Sequence, residues 1–120
     1  MKPKINSTDF GSITVKRKTF EHDIIIRKNG DVEKRKKKLS KEIYGTSHKI
    51  SLAEAKHIYE KGTEKLIIGT GQFGYVKLSK KAKKFFEKKE CKAKLLPTKE
   101  AIKLWNRSKG QVTAMFHVTC

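Results

Sequence analysis

The sequence predicts an α/β fold: a β-rich N-terminal part joined to a βαβαβ unit, within one domain spanning residues 1–120. Three observations carry this reading. The chain has 120 residues, 36% of them hydrophobic, which is enough for one core and not for two. Its first third holds β-branched runs and an Asn-Gly dipeptide. Beyond residue 51, short apolar segments alternate with amphipathic stretches that open on helix-capping residues. That is the pattern of parallel strands joined by right-handed crossovers, and it predicts a mainly parallel sheet.

Taken in order, residues 1–9 are expected to be a flexible lead. Ile13 and Val15 alternate with Ser12, Thr14 and Lys16, which predicts a half-buried strand near residues 10–18. Ile24-Ile25-Ile26 and the segment after Asn29-Gly30 then read as a hairpin. A two-residue loop would set Ile26 opposite Glu33. A three-residue loop with Gly30 left-handed sets Ile26 opposite Val32 and Asp23 opposite Arg35. The second register pairs apolar with apolar and acid with base, and is preferred. The lysines after Val32 suit an exposed edge strand. Residues 40–50 read as irregular. Ser51-Leu52-Ala53-Glu54 is a capping box opening a helix with an apolar stripe of Leu52, Ala55, Ile58 and Tyr59, closed by Gly62. Lys65–Ile68 reads as a strand, Ser79 caps a helix burying Ala82, Phe85 and Phe86, and Lys94–Leu96 is a further strand. Pro97-Thr98 opens a helix carrying Ala101, Ile102 and Trp105, and Val112–Val118 alternates as a last strand.

Charge is the outlier, at +18 from 30 Lys and Arg against 12 Asp and Glu. Only four of the basic residues are Arg, the side chain that grips phosphates and bases bidentately. The densest runs are Lys34-Arg35-Lys36-Lys37-Lys38 and Lys80-Lys81-Ala82-Lys83-Lys84. They read either as a footprint for a phosphate backbone or as a solvated surface that keeps the chain soluble. No aromatic residues interleave with them in sequence. No apolar run approaches the ~18–20 residues of a membrane span. Met1–Asn6 has no apolar core of a secretory leader. Two cysteines are too few for a disulfide scaffold. A reducing, cytoplasmic location is expected.

Gly69-Thr70-Gly71-Gln72-Phe73-Gly74 satisfies G-x-G-x-x-G after a strand. A dinucleotide site would need a helix starting at the glycines, and here Tyr75–Leu78 intervenes before Ser79. A kinase glycine loop would need His-Arg-Asp and Asp-Phe-Gly, and neither occurs in the sequence. The expectation is a glycine turn at a strand's carboxyl end, with Gly71 at positive φ or at a close approach by another segment. His117 and Cys120 have H-x-x-C spacing but cannot complete a metal site alone. Tyr44-Gly45-Thr46-Ser47-His48 gathers hydroxyls and an imidazole in an irregular stretch.

Four pieces together resemble a known family: Phe10–Val15, Tyr44–His48, Ile67–Gly71 and Phe116–Cys120. That small family includes an archaeal methanogen protein, the adipogenesis-associated domain protein and a mitochondrial respiratory complex I assembly factor. The resemblance runs from about residue 10 to the end, and is strongest to the archaeal branch. It implies a three-layer α/β domain with a mixed sheet and a cytoplasmic, archaeal-type protein. It carries no catalytic residue. The assembly and adipogenesis roles belong to eukaryotic branches and are not transferred.

The function expected first is a non-enzymatic binding or assembly module. Its cleft at the strand ends would be built from Tyr44, Gly45, Thr46, Ser47, His48, Gly69, Thr70, Gly71, His117 and Cys120. Its partner would be a protein or a small ligand, with no cofactor, no metal and no membrane. The alternatives are RNA binding through the lysine-rich faces, and a small enzyme using Cys120 or His117.

Overall fold

The structure, a computed structural model, describes residues 2–120. Strands β1 (Ile5–Asp9), β2 (Ser12–Val15) and β3 (Lys18–Phe20) form an antiparallel sheet of their own. The expected flexible lead is therefore a strand from residue 5 onward; residue 1 lies outside the described residues. β1 is tied down by Asn106, whose amide donates to the Ile5 carbonyl at 2.9 Å while its Oδ1 accepts from the Ile5 amide at 3.0 Å. The single strand expected near 10–18 is divided by a tight turn. Lys16 and Arg17 both take positive φ there, at 50° and 66°. A turn of that kind ordinarily announces itself with Gly or Asn, and this one does not.

The hairpin of β4 (Ile24–Ile26) and β5 (Val32–Lys34) has the preferred register. Ile26 faces Val32, and the Arg35 amide donates to the Asp23 carbonyl at 3.0 Å. Gly30 closes the loop at φ 93°. Residues 40–50, expected to be irregular, contain the end of helix α1 (Lys38–Tyr44) and the two-residue strand β6 (Lys49–Ile50). Helix α2 (Leu52–Ile58) begins as expected, with Ser51 Oγ accepting from the Glu54 amide at 3.1 Å. It ends at Tyr59, and Gly62 lies three residues later in a separate turn.

The second half alternates as read from the sequence: β7 (Lys65–Thr70), β8 (Lys77–Leu78), α3 (Lys80–Lys88), β9 (Lys92–Leu96), α4 (Thr98–Arg107) and β10 (Val112–His117). Ser79 caps α3 by accepting from the Ala82 amide at 3.1 Å. The main sheet runs β5-β4-β10-β7-β9. β10 is central, parallel to β7 and antiparallel to β4, so the sheet is mixed. This is the mixed sheet that the family resemblance implies; alternation alone points to a mainly parallel one, and the difference arises because the hairpin joins the same sheet as the βαβαβ unit.

Alternation in the strands sorts the core onto two faces. Ile24, Ile26, Ile67, Ala114 and Phe116 pack with α4 and with Ile5, Ile13 and Val15 of the small sheet. Ile25, Ile68 and Met115 pack on the other face with α2 and α3, through Ala55, Ile58, Ala82 and Phe86. Three layers result. All six residues of β10 are buried. Among the described residues, no helix is long and apolar enough to cross a membrane.

Candidate functional site

The carboxyl ends of β7 and β10 lie side by side, with Thr70 registered against His117. The glycine turn leaves from there, and the amides of Gly71, Gln72, Gly74, Tyr75 and Val76 are already engaged. Gly71 donates to Thr98 Oγ1 at 2.9 Å, Gln72 to the Thr119 carbonyl at 2.7 Å, and Tyr75 to the Cys120 carbonyl at 3.2 Å. Gly74 donates back to the Gly71 carbonyl, and Val76 to that of Thr70. A phosphate cradle needs amides pointing at the ligand; these point into the protein. Gly71 has φ 107°, and a Cβ there would fall 2.4 Å from the Cys120 carbonyl carbon. Positive φ and a close approach therefore coincide at the residue where either was expected.

Next to this junction lies a buried charge network. Arg35 donates from Nε and Nη2 to the two Glu54 oxygens at 2.6 and 3.0 Å, and from Nη1 to Asp23 Oδ2 at 2.9 Å. Nη2 also donates to the Ser47 carbonyl at 2.8 Å. The other Asp23 oxygen accepts from the Val118 amide at 2.9 Å, extending β4–β10 pairing just past the last residue pair. His117 Nδ1 lies 2.7 Å from Asp23 Oδ2, and His117 Nε2 lies 3.2 Å from Thr119 Oγ1. Ser40 donates to Glu54, which links α1 to α2.

Asp23, Arg35 and Glu54 are almost fully buried. Burial alone would raise the Asp23 pKa. The His117 hydrogen bond and charge, the Val118 amide and Arg35 outweigh it and hold the group at about 2. Burial opposes charge on Arg35 as well, yet its bonds to Glu54 and Asp23 hold its pKa above the ordinary value. His48 stacks edge-on against His117 with ring centroids 5.4 Å apart. Its pKa is lowered, by loss of solvent first and then by the positive charges of His117, Arg35 and Lys37.

Of the sequence-selected residues, Thr70, Gly71, His117 and Cys120 meet at this junction, His48 reaches it through His117 and the Ser47 carbonyl through Arg35, while Tyr44 and Gly45 lie at the end of α1. Gly45, at φ 71°, closes α1, and Thr46 Oγ1 accepts from the His48 amide. Tyr44 sits at the end of α1 under Lys49, whose Nζ is 4.5 Å from the ring centroid. A Cβ on Gly69 would fall 2.7 Å from Phe116 Cδ1, so that glycine serves strand packing. Cys120 is half-buried; Cys91, outside this region, is buried and has its thiol pushed up to about 11 by burial. Among the described residues, no group of three or more His, Cys, Asp or Glu side chains is placed to hold a metal ion.

The basic runs need one correction. Lys34, Lys36 and Lys38 are exposed and Lys37 is half-buried, but Arg35 is only 3% exposed. It points inward from the edge strand to meet Asp23 and Glu54, because alternation along the strand turns its side chain away from those of Lys34 and Lys36. Lys80, Lys81, Lys83 and Lys84 are exposed on α3, around the buried Ala82. Sequence reasoning missed Glu54 as a network member, since its capping-box role explained it fully. Asp23 was legible only as the cross-strand partner of Arg35.

Two openings flank the junction. One, of about 590 Å³, runs over Asp23, Val118 and Thr119 and is walled by residues 34–38. The other, of about 510 Å³, lies among Tyr44, Lys49, Lys77, Lys80 and Lys81.

Residues 5–117 match the family model described as a protein of unknown function (DUF498/DUF598). The chain belongs to the DUF498/DUF598 family. It is 39% identical to a conserved hypothetical protein from Pyrococcus horikoshii OT3, with a TM-score of 0.88 over 98% of this chain and 99% of that one. It is 32% identical to the protein named MT938, with a TM-score of 0.84 over 98% and 99% of the two chains. The fold alone is shared with a Bordetella pertussis protein described as an Mth938-like domain. That match is 17% identical, with a TM-score of 0.68 over 97% of this chain and 85% of that one. DUF498/DUF598 membership fixes the mixed-sheet α/β architecture and assigns no reaction.

Proposed function

We propose that this chain is a binding module, not an enzyme, and that its ligand carries negative charge. The observation supporting this is the opening over Thr119. Lys34, Lys36, Lys37 and Lys38 outnumber the two carboxylates that line it, the exposed Glu21 at its edge and Asp23, which is engaged by Arg35 and His117. Lys37 Nζ stands 3.7 Å from Asp23 Oδ2, at the mouth of the network. The Arg35–Asp23–Glu54 bonds hold β5, β4 and α2 in fixed relation, so the lysine backbone positions are set before a ligand arrives. The ligand is a small polyanion, or an acidic segment of a partner protein in an assembly role.

Native mass spectrometry after incubation with a mixture of phosphorylated and polycarboxylate metabolites tests this, with an acidic peptide as the second arm. A retained mass is expected in the parent and not in Lys36→Glu/Lys37→Glu. No retained ligand in either arm, or retention unchanged in the variant, would overturn the reading.

A second reading has its own observation. Asp23, His117 and Thr119 form a carboxylate–imidazole–hydroxyl series, an arrangement that can activate a hydroxyl nucleophile. Treatment with a fluorophosphonate probe and peptide mapping would show a Thr119 adduct if the series is reactive. An unmodified Thr119 excludes it.

A further inference from the structure

Three of the four large hydrophobic side chains most exposed to solvent are aromatic and stand in one row. Phe10, Phe73 and Tyr75 are 61%, 64% and 59% exposed. Ring centroids are 6.2 Å apart from Phe10 to Phe73, 6.2 Å from Phe73 to Tyr75, and 6.1 Å from Tyr75 to His48. Three elements distant in sequence build this row: the β1–β2 turn, the glycine turn, and the segment before β6. A contiguous exposed apolar surface of this kind marks an interaction site.

The row runs directly into lysines. The chain passes from Tyr75 to Lys77, whose amide donates to the His48 carbonyl at 2.9 Å, and Lys77 is registered against Lys49 across the β6–β8 ladder. Lys49, Lys77, Lys80 and Lys81 then surround the second opening, with Tyr44 in its wall. Among the described residues lining it there is no carboxylate.

We propose that Phe10, Phe73, Tyr75 and His48, continued by Lys49, Lys77, Lys80 and Lys81, form a binding surface for single-stranded nucleic acid. Such surfaces pair a basic track for the backbone with aromatic faces on which bases stack, whatever their sequence. The ring spacing exceeds the ~3.4 Å rise of bases within a duplex strand, so the row suits bases spread onto separate rings. An acidic peptide would use the lysines but has no use for the ring faces. A second copy of this chain would itself carry a net charge of +18 and set lysine against lysine. Lysine without arginine fits backbone tracking in preference to base reading. None of the residues named for this surface lines the opening walled by residues 34–38, although Gly11, next to Phe10, does.

Fluorescence anisotropy with a labelled twelve-residue oligouridylate tests it, with a duplex of equal length and polyglutamate as competitors. The expected result is tighter binding of the single strand than of the duplex, and weak competition by polyglutamate. Phe73→Ala/Tyr75→Ala should lower affinity by at least about 10-fold with an unchanged salt slope. Lys49→Ala/Lys77→Ala should reduce the slope of log affinity against log salt by roughly 0.7 per lost phosphate contact. The aromatic side chains are exposed, so an unchanged thermal transition is expected for the first variant and checks its fold. Lys36→Glu/Lys37→Glu should keep the aromatic dependence, so this inference and the anion cleft fail separately. Binding unaffected by the aromatic variant, or equal displacement by polyglutamate, would overturn the proposal. So would a concentration-dependent dimer in sedimentation that the aromatic variant abolishes without changing oligouridylate affinity.

Discussion

Replacing Gly71 by Ala adds one methyl group where two costs meet. The backbone at φ 107° lies beyond the small left-handed well open to other residues, which costs on the order of 1–3 kcal/mol. The new Cβ would also fall 2.4 and 2.5 Å from the Cys120 carbonyl carbon and oxygen, and 2.8 Å from His117 Cδ2. Backbone atoms cannot rotate aside, so the segment after β10 must shift. That segment is held by the Gln72 and Tyr75 amides at 2.7 and 3.2 Å. Losing both bonds costs roughly 0.5–1.5 kcal/mol each. The expected loss is about 3 kcal/mol, a large share of a typical domain's stability of about 5–15 kcal/mol. Gly74→Ala is the control. Its φ is 74°, but the added Cβ meets only Pro97 Cγ and Thr70 Oγ1 at 3.6 Å, so backbone strain of about 1–2 kcal/mol remains. Urea unfolding with matched m-values measures both. Equal losses for the two variants, or a Gly71→Ala loss below about 1 kcal/mol, would refute the claim that the segment after β10 is locked against the glycine turn.

Two further outcomes follow from the charge network. Arg35→Met leaves Asp23 and Glu54 facing each other without their shared cation, and should cost about 3–5 kcal/mol in urea unfolding. Arg35→Met/Glu54→Leu should recover part of that loss, and no recovery would show that the Glu54 charge is not what the single variant exposes. Asp23 ionises at about 2 when folded against an ordinary 3.8, so its contribution is complete above pH 4 and is lost as pH falls through 2. The difference corresponds to about 2 kcal/mol, and stability curves of the parent and Asp23→Asn should converge across that window.

Legibility in the sequence followed the strength of local signals. Capping residues Ser51 and Ser79 placed α2 and α3 because each side chain bonds an amide three residues on, a purely local event. Asn29-Gly30 and cross-strand pairing gave the β4–β5 register. The turn at Lys16-Arg17 was hidden because its residues carry no left-handed preference. α1 was hidden because it lacks a side-chain N-cap and runs through polar residues. The mixed sheet was invisible to alternation, since nothing within Ile24–Ile26 states which neighbour the hairpin joins. At the site, the converging segments were legible as polar clusters at strand ends. Glu54 and the inward turn of Arg35 were not, because both sat inside patterns already explained, a capping box and a lysine run.

The polar junction and its rim have different physical roles. Arg35 spends Nε and both Nη atoms on Glu54, Asp23 and Ser47, and both oxygens of Asp23 are taken. Groups so fully satisfied gain little from a ligand and would each cost a desolvated partner if one displaced them. The Val118 amide shows what the junction supplies instead. It lies just past the β4–β10 ladder, and the Asp23 carboxylate takes the place of the next backbone acceptor. The network thus finishes the sheet where strand pairing stops, and fixes β5, α2 and the segment after β10 around one point. What faces solvent from that fixed frame is Lys34, Lys36 and Lys38 along and after β5, and Phe73, Tyr75, Lys77, Lys80 and Lys81 in the glycine turn, β8 and α3. If the domain binds as proposed, recognition would rest on rim side chains, which can change without disturbing the frame, while changes at Asp23, Arg35 or Gly71 act first on stability.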